Sequence, residues 1–307
     1  MGVTEAREGV RRRLGFFTRR ASPRRWTGSL ALALGVGATV AFAQADPPAW
    51  TRPIAGFPIV GPISYVGTEG LASYLIKTPA GAILIDGTMA ENVGAIRRNV
   101  EAAGVPIRAV KLILLTHAHF DHAAGLAGLQ RASGARLVVG AADAEAVRTG
   151  VPPGETSYGV IRFPPARVDR AVRDGDTVRL GGVTLTAVAT PGHTPGCTSW
   201  AMTVVDRGRP RRALFACSIT VAGNRLVGNR RYPGIVADFR RSFARLARTR
   251  ADILLPMHPE GADVIERGRR LALGEREAFV APGLLQKTVN EARAAFEVEV
   301  TKQRASK

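Results

Sequence analysis

The run Thr116-His117-Ala118-His119-Phe120-Asp121-His122 sets three imidazoles and a carboxylate within six residues. These are the donors a zinc ion takes in catalytic sites, and the density exceeds what an ordinary salt-bridge cluster needs. The chain has only five histidines, and the remaining two, His193 and His258, also fall at turn-like positions. A lone histidine after a strand, such as His258, is more often a satisfied core or surface residue, but five of five at usable positions outweigh that reading. His117 and His119 alternate, so both can converge on one ion, with His193 arriving from another strand as the third imidazole. Asp121 and His122 point elsewhere and, with His258, form a second set of two imidazoles and one carboxylate. Each set leaves a coordination position open, which is the condition for catalysis rather than structure. Two ions roughly 3.5–4 Å apart share a water whose pKa falls toward about 7, giving a nucleophile at neutral pH.

The elements that must position these side chains are strands and the loops behind them. Residues 110–115 (Val-Lys-Leu-Ile-Leu-Leu) form a short apolar run of the buried-strand type that ends at Thr116, with a helix expected near His122. Upstream, 59–66 and 72–86 read as strands of a meander, the latter broken by the turn at 78–81, and 91–103 has helical spacing. Downstream, 136–139, 177–179 and 183–189 read as strands, with Gly181-Gly182 making a hairpin. The turn Pro191-Gly192-His193-Thr194-Pro195-Gly196 presents His193, and a helix over 238–248 leads into a strand over 252–255 with His258 behind it. Ligands hanging from the ends of separate strands match the way rigid scaffolds place chemistry on loops. Two Gly- and Pro-bearing irregular segments, 150–165 and 222–233, are candidate walls of the site.

The length of 307 residues suits one large domain or two small ones. Residues 1–43 combine an Arg-rich stretch, the apolar run 30–40 and the small-residue site Ala41-Phe42-Ala43, which reads as an export signal cleaved near Ala43 or Ala45 by either the Sec or the twin-arginine route. That apolar run is short for a membrane span, so the expectation is a periplasmic protein with no stable membrane insertion after cleavage. The segment carries eight Arg and two Glu, a net +6 of the chain's +18, leaving +12 for residues 44–307. No aromatic-interleaved basic patch accompanies that charge, so nucleic acid is not an expected partner. Export also permits a disulfide. Residues 200–205 and 213–216 read as a hairpin, and folding it about Arg207 sets Cys197 opposite Cys217 for a cross-strand bridge, with two free buried thiols as the alternative.

T-H-A-H-F-D-H, then P-G-H-T-P-G, then a histidine behind a strand near the C-terminus resembles the signature order of the metallo-β-lactamase superfamily, over nearly all of residues 44–307. The resemblance implies an α+β fold, the αββα sandwich of two face-to-face sheets with helices outside and a metal site at one edge. Many members that are not β-lactamases carry, after the His193-type turn, an Asp in a segment like F-x-G-D that bridges two metals. Here 214–220 reads Leu-Phe-Ala-Cys-Ser-Ile-Thr, with Ser218 at that position, so the site resembles the β-lactamase version. Cys217 falls one residue early for the subclass that uses a cysteine ligand, and alternation aims it at the other face of its strand. With His122 in that role, the match is to subclass B3. Segments 65–71 (Tyr-Val-Gly-Thr-Glu-Gly-Leu) and 228–233 (Gly-Asn-Arg-Arg-Tyr-Pro) are similar to the same subclass.

What the resemblance implies is a dizinc hydrolase that opens the amide of penicillins, cephalosporins and carbapenems by metal-bound hydroxide, without a covalent intermediate. Asp121 is the candidate catalytic residue, positioning the nucleophile and the second ion. Ser218, Thr220 and Asn224 are expected near the substrate carboxylate, and Asp86, ending a core strand, supports the ligand loop as a hydrogen-bond acceptor. The implied partner is a small β-lactam, and the implied state a monomer. A serine β-lactamase is excluded, because no serine opens an S-x-x-K motif. The alternative is an exported metallo-hydrolase of the same fold acting on lactones or thioesters.

Overall fold

The structure is a computed structural model that describes residues 46–306. The expected export segment 1–43 and its cleavage site lie outside the described residues. Among the described residues no helix is long and apolar enough to cross a membrane.

Two sheets carry the fold. The first has seven strands in sequence order: β1 Phe57–Val60, β2 Ile63–Tyr65, β3 Tyr74–Thr78, β4 Gly81–Ile85, β5 Val110–Leu114, β6 Arg136–Gly140 and β7 Arg170–Val172. Pairing is antiparallel through β4 and parallel from β4 onward, the crossovers carrying α1 Val93–Ala102, α3 Leu126–Ser133 and α4 Ala144–Thr149. The second sheet has β8 Thr177–Leu180, β9 Val183–Ala189, β10 Thr198–Asp206, β11 Arg209–Ala216 and β12 Ile253–Pro256, with β12 parallel to β11. Alternation in β4 and β5 explains the layering. Ile83, Ile85, Leu112 and Leu114 join the core that contains Trp200 and Phe215, whereas Leu84 and Ile113 pack with Ile96 of α1 and Leu129 of α3. Strands buried on both faces read as continuous apolar runs, as 110–115 does. Near the second sheet, Phe239 and Phe243 of α5 Ile235–Arg248 pack against Phe296 of α7 Leu284–Ala305, tilted and edge-on respectively. The expected αββα sandwich is the observed fold.

Local departures have physical causes. The expected strand over 59–66 is split into β1 and β2, because Gly61 takes a left-handed φ of 51° and Pro62 has no N–H to continue a ladder. The helix expected near His122 begins two residues earlier, as α2 Phe120–Ala123, with His119 as its N-cap. The β10–β11 hairpin turns on two residues in left-handed conformation, Arg207 at φ 49° and Gly208 at φ 76°, so Asp206 faces Arg209 and the register is shifted by half a residue from a fold about Arg207. Cys197 and Cys217 still lie diagonally across the strand ends, 5.9 Å apart at Cα, and form a disulfide.

The two sheets are stitched where the ligands sit. Trp200 Nε1 of β10 donates to the Leu115 carbonyl behind β5 (3.2 Å), and Thr198 N donates to the Thr116 carbonyl (2.8 Å). On the other side, Tyr74 OH donates to the Pro256 carbonyl (2.6 Å) and Ala72 N to that of Met257 (2.8 Å), which fixes the end of β12 just before His258.

Candidate metal centre

Asp86 organises the loop that leaves β5. Its carboxylate accepts from Thr116 N (2.7 Å) and Thr116 Oγ1 (2.6 Å) and pairs with His122 Nδ1 (3.1 Å). Reaching all three requires a left-handed backbone, φ 61° in a fully buried non-glycine residue, a strain that the surrounding bonds hold in place. With its Nδ1 fixed, His122 turns Nε2 toward Asp121 Oδ2 (3.1 Å) and His258 Nε2 (3.3 Å). His258 Nε2 in turn lies 3.3 Å from the same Oδ2. His193 is oriented the same way: its Nδ1 meets the Thr220 carbonyl at 2.7 Å, and Nε2 points at His119 Nδ1, 3.0 Å away.

His117, His119 and His193 thus bring one ligand atom each within 4.8 Å of one another, and so do Asp121, His122 and His258. Asp86, His117 and His122 meet the same limit, and the two sets are contiguous through the His117 ring, 4.2 Å from that of His122. A metal fits this arrangement. His117 Nε2 and His119 Nε2 are buried with no hydrogen-bond partner, a state that is rare and costly for polar atoms unless they serve as ligands.

The electrostatics divide the cluster into neutral and charged halves. Burial pulls the His119 imidazole down to about 4, and it holds His117 and His193 well below the ordinary histidine value, aided by neighbouring rings. Burial would raise the Asp121 carboxyl, but His122 and His258 outweigh it and hold it well below the carboxylate range. Burial likewise lowers His122, yet Asp121 and Asp86 push it up to about 10. Metal loading at the Asp121 group therefore releases a proton.

These shifts set the acid stability of the metal-free protein. Below about 6.5 the unfolded chain protonates His117, His119 and His193 while the folded chain keeps them neutral, so unfolding takes up protons and stability falls as pH drops toward 4. His122 is already protonated throughout that window in the folded state. Burial raises Asp143 to about 6, which opposes the trend with one group against three. Chelated protein is expected to melt progressively lower from pH 6.5 to 4; a constant melting temperature there contradicts the assignment of the three neutral rings.

Sequence reasoning missed two residues. Asp143 follows β6 and is fully buried; its Oδ2 accepts from Ala118 N (2.9 Å) and Thr194 Oγ1 (2.6 Å), and its Oδ1 from Gly196 N (2.7 Å). One carboxylate therefore clamps the His117–His119 loop to the His193 turn. The only sequence signal was Gly196, where any Cβ would run into Asp143. Trp50 is the other: its ring lies 5.7 Å from that of His258 and 6.1 Å from Phe120, and its carbonyl is held by Thr68 Oγ1 and Asn92 Nδ2.

Ser218 and Thr220 stand beyond β11 at the mouth of the site, their hydroxyls 3.1 Å apart and Thr220 exposed. Asn224, expected at the substrate, lies elsewhere: it is buried and donates its amide to the His193 carbonyl (3.1 Å), bracing the ligand turn from below. The disulfide joins the His193 loop to the Ser218 loop. The expected walls, 150–165 and 222–233, pair with each other through a Thr156–Asn224 bridge.

The model of the metallo-beta-lactamase superfamily matches residues 67–258, a span that includes all six candidate ligands. The chain belongs to the metallo-beta-lactamase superfamily. A subclass B3 metallo-beta-lactamase of Bradyrhizobium japonicum, BJP-1, is 42% identical, superposes with a TM-score of 0.80, and is matched over 84% of this chain and 98% of its own. The FEZ-1 metallo-beta-lactamase of Legionella gormanii is 35% identical with a TM-score of 0.77, over 82% of this chain and 98% of its own. Among curated proteins, a hydroxyacylglutathione hydrolase of Acidiphilium cryptum is 33% identical over 151 residues, 48% of each chain. The chain thus spans about half the length of that relative, while the two metallo-beta-lactamase structures are matched almost end to end.

Proposed function

We infer that this superfamily hydrolase is a zinc-dependent β-lactamase, exported by the signal over residues 1–43 to the periplasm and acting there as a monomer on penicillins, cephalosporins and carbapenems. The observation that carries this reading is Ser218, standing where the resemblance to other superfamily hydrolases calls for a bridging carboxylate, with its hydroxyl 3.1 Å from that of Thr220. The oxidising compartment suits the disulfide.

His117, His119 and His193 would hold one zinc ion, and Asp121, His122 and His258 a second. Bound there, zinc supplies Lewis acidity to the lactam carbonyl and lowers the pKa of water. The chain's own residues do the rest. The Thr220 carbonyl and Asp86 fix the His193 and His122 rings, so the ligand set is ordered before substrate arrives. Asp121, ionised at neutral pH, orients the attacking water through its carboxylate. The Ser218 and Thr220 hydroxyls donate to the substrate carboxylate and set the lactam against the metal centre. No side-chain nucleophile is involved.

Replacing Ser218 and Thr220 together with Ala is expected to raise KM for a penicillin by about tenfold, with kcat within about twofold, since two neutral hydrogen bonds to a carboxylate contribute roughly 1–3 kcal/mol of binding. An unchanged KM removes the hydroxyls from substrate binding. The partial match to a hydroxyacylglutathione hydrolase favours the second reading, hydrolysis of lactones or thioesters.

A further inference from the structure

Part of the excess positive charge of residues 44–307 collects at the end of the second sheet farthest from the metal centre. Strand β10 leaves that centre at Thr198, whose N–H meets the Thr116 carbonyl, and its nine residues end at Asp206, about 26 Å away at roughly 3.3 Å per residue. The turns and termini gathered there carry Arg179 of β8, Arg209 at the start of β11, Arg248 and Arg250 between α5 and β12, and Arg276 in the connection that follows α6 Val264–Ala272. All five are exposed. Neighbouring acids are already engaged: Asp206 and Glu277 by Arg207 and Arg211, Glu275 by Arg270, and Asp252 by Arg212 N (2.8 Å). The five arginines therefore stand without an ion pair among the described residues.

Two large aliphatic side chains project among these charges. Val205 is 65% exposed just before the β10–β11 turn, and Leu273 is 88% exposed just after α6. Arg207 Nη2 donates to the Arg276 carbonyl (3.2 Å), which joins the turn to the segment behind α6. Both aliphatics lie within two residues of one cleft, which Asp206, Arg207, Leu271 and Arg276 help to line. The exposed aromatic side chain among the described residues, Tyr158, belongs to 150–165, so this end offers no ring on which a nucleic-acid base could stack.

We propose that this end docks on the surface of an anionic phospholipid bilayer, with the arginines against lipid phosphates, Val205 and Leu273 in the headgroup layer, and the metal centre turned away from the membrane. Guanidinium groups freed of acidic partners match phosphate oxygens in charge and geometry. Each cation brought near an anionic surface strengthens association by about fivefold, and salt screens that attraction. Exposed aliphatics beside cations add the apolar contact that peripheral membrane proteins use. Such docking is reversible, and it leaves the ligand loops at the opposite end uncovered.

The test sediments zinc-loaded residues 44–307, which contain both sheets entire, with vesicles of phosphatidylglycerol mixed with phosphatidylcholine and with vesicles of phosphatidylcholine alone. Capture by the anionic vesicles, reversed by salt, and none by the neutral ones is expected. Removing three charges together, Arg209→Gln, Arg250→Gln and Arg276→Gln, is expected to weaken partitioning about 100-fold, at about fivefold for each cation. The same charge removed from α1 and α3, by Arg97→Gln, Arg98→Gln and Arg131→Gln, is expected to weaken it by less than about fivefold, which separates a docking end from net charge. Val205→Ser with Leu273→Ser is expected to weaken partitioning about tenfold and to leave its salt dependence unchanged. Melting temperature and zinc content should stay at wild-type values in all three variants, since the replaced side chains are exposed and the arginines donate no hydrogen bond. No capture by anionic vesicles, equal losses from the two arginine triples, an unaffected serine variant, or tighter binding to a DNA duplex than to vesicles overturns the proposal.

Discussion

Replacing His119 with Ala is expected to lower kcat/KM on β-lactams by roughly a thousandfold, about 4 kcal/mol of transition-state stabilisation. The size follows from what the ring does. Its Nε2 is buried without a partner and its Nδ1 lies 3.0 Å from His193 Nε2, so it has no evident purpose except to share an ion with His117 and His193. Two imidazoles are too few to retain zinc at a three-ligand catalytic site. Zinc content, measured by mass spectrometry after dialysis, is expected to fall from two ions per chain to one. Stability should move the other way once metal is gone: removing a buried, unsatisfied nitrogen from a crowd of imidazoles leaves the chelated variant at least as stable as chelated wild type. A variant that keeps both ions contradicts the ligand assignment.

Asp143→Ala is expected to have the second-largest effect, although this residue touches no candidate ligand side chain. Removing its carboxylate strands three buried donors, Ala118 N, Thr194 Oγ1 and Gly196 N, at a cost of roughly 3–5 kcal/mol in folding stability. Those donors belong to both loops that carry the three-imidazole set. Zinc affinity at that set is therefore expected to fall by about 10–100-fold, in keeping with the loss of outer partners of metal ligands. Asp143→Asn separates positioning from bulk stability. It restores the volume and one acceptor but turns an N–H toward donors, so it should recover much of the stability and only part of the zinc affinity. If zinc titration of the Ala variant matches wild type, the clamp plays no part in holding the ligand loops.

The clustering of the candidate ligands was largely legible in the sequence because metal chemistry restricts residue type and because four of them lie in one six-residue run. Strand β5 was equally legible, since burial on both faces leaves an uninterrupted apolar stretch. Asp143 was not, because its meaning depends on bringing the end of β6 against a turn some fifty residues later, and an isolated aspartate before a helix resembles an ordinary cap. Trp50 was hidden for the same reason: only the tertiary fold sets it beside His258. Asn224, which the resemblance sets near the substrate, is buried instead, because the pairing with 155–157 and Gln303 turns it inward under His193. The hairpin register slipped by half a residue because Arg207 shares the left-handed turn with Gly208, a conformation that composition alone does not assign to an arginine.

Whether Ser218 marks a β-lactamase rather than a lactone or thioester hydrolase is tested most directly by turnover by purified residues 44–307 with excess zinc on a penicillin, a cephalosporin, a carbapenem and a panel of lactones and thioesters. β-Lactam hydrolysis that EDTA abolishes, zinc restores and clavulanate leaves intact is the predicted result. Turnover of lactones or thioesters with no β-lactam hydrolysed by the zinc-loaded protein would contradict it.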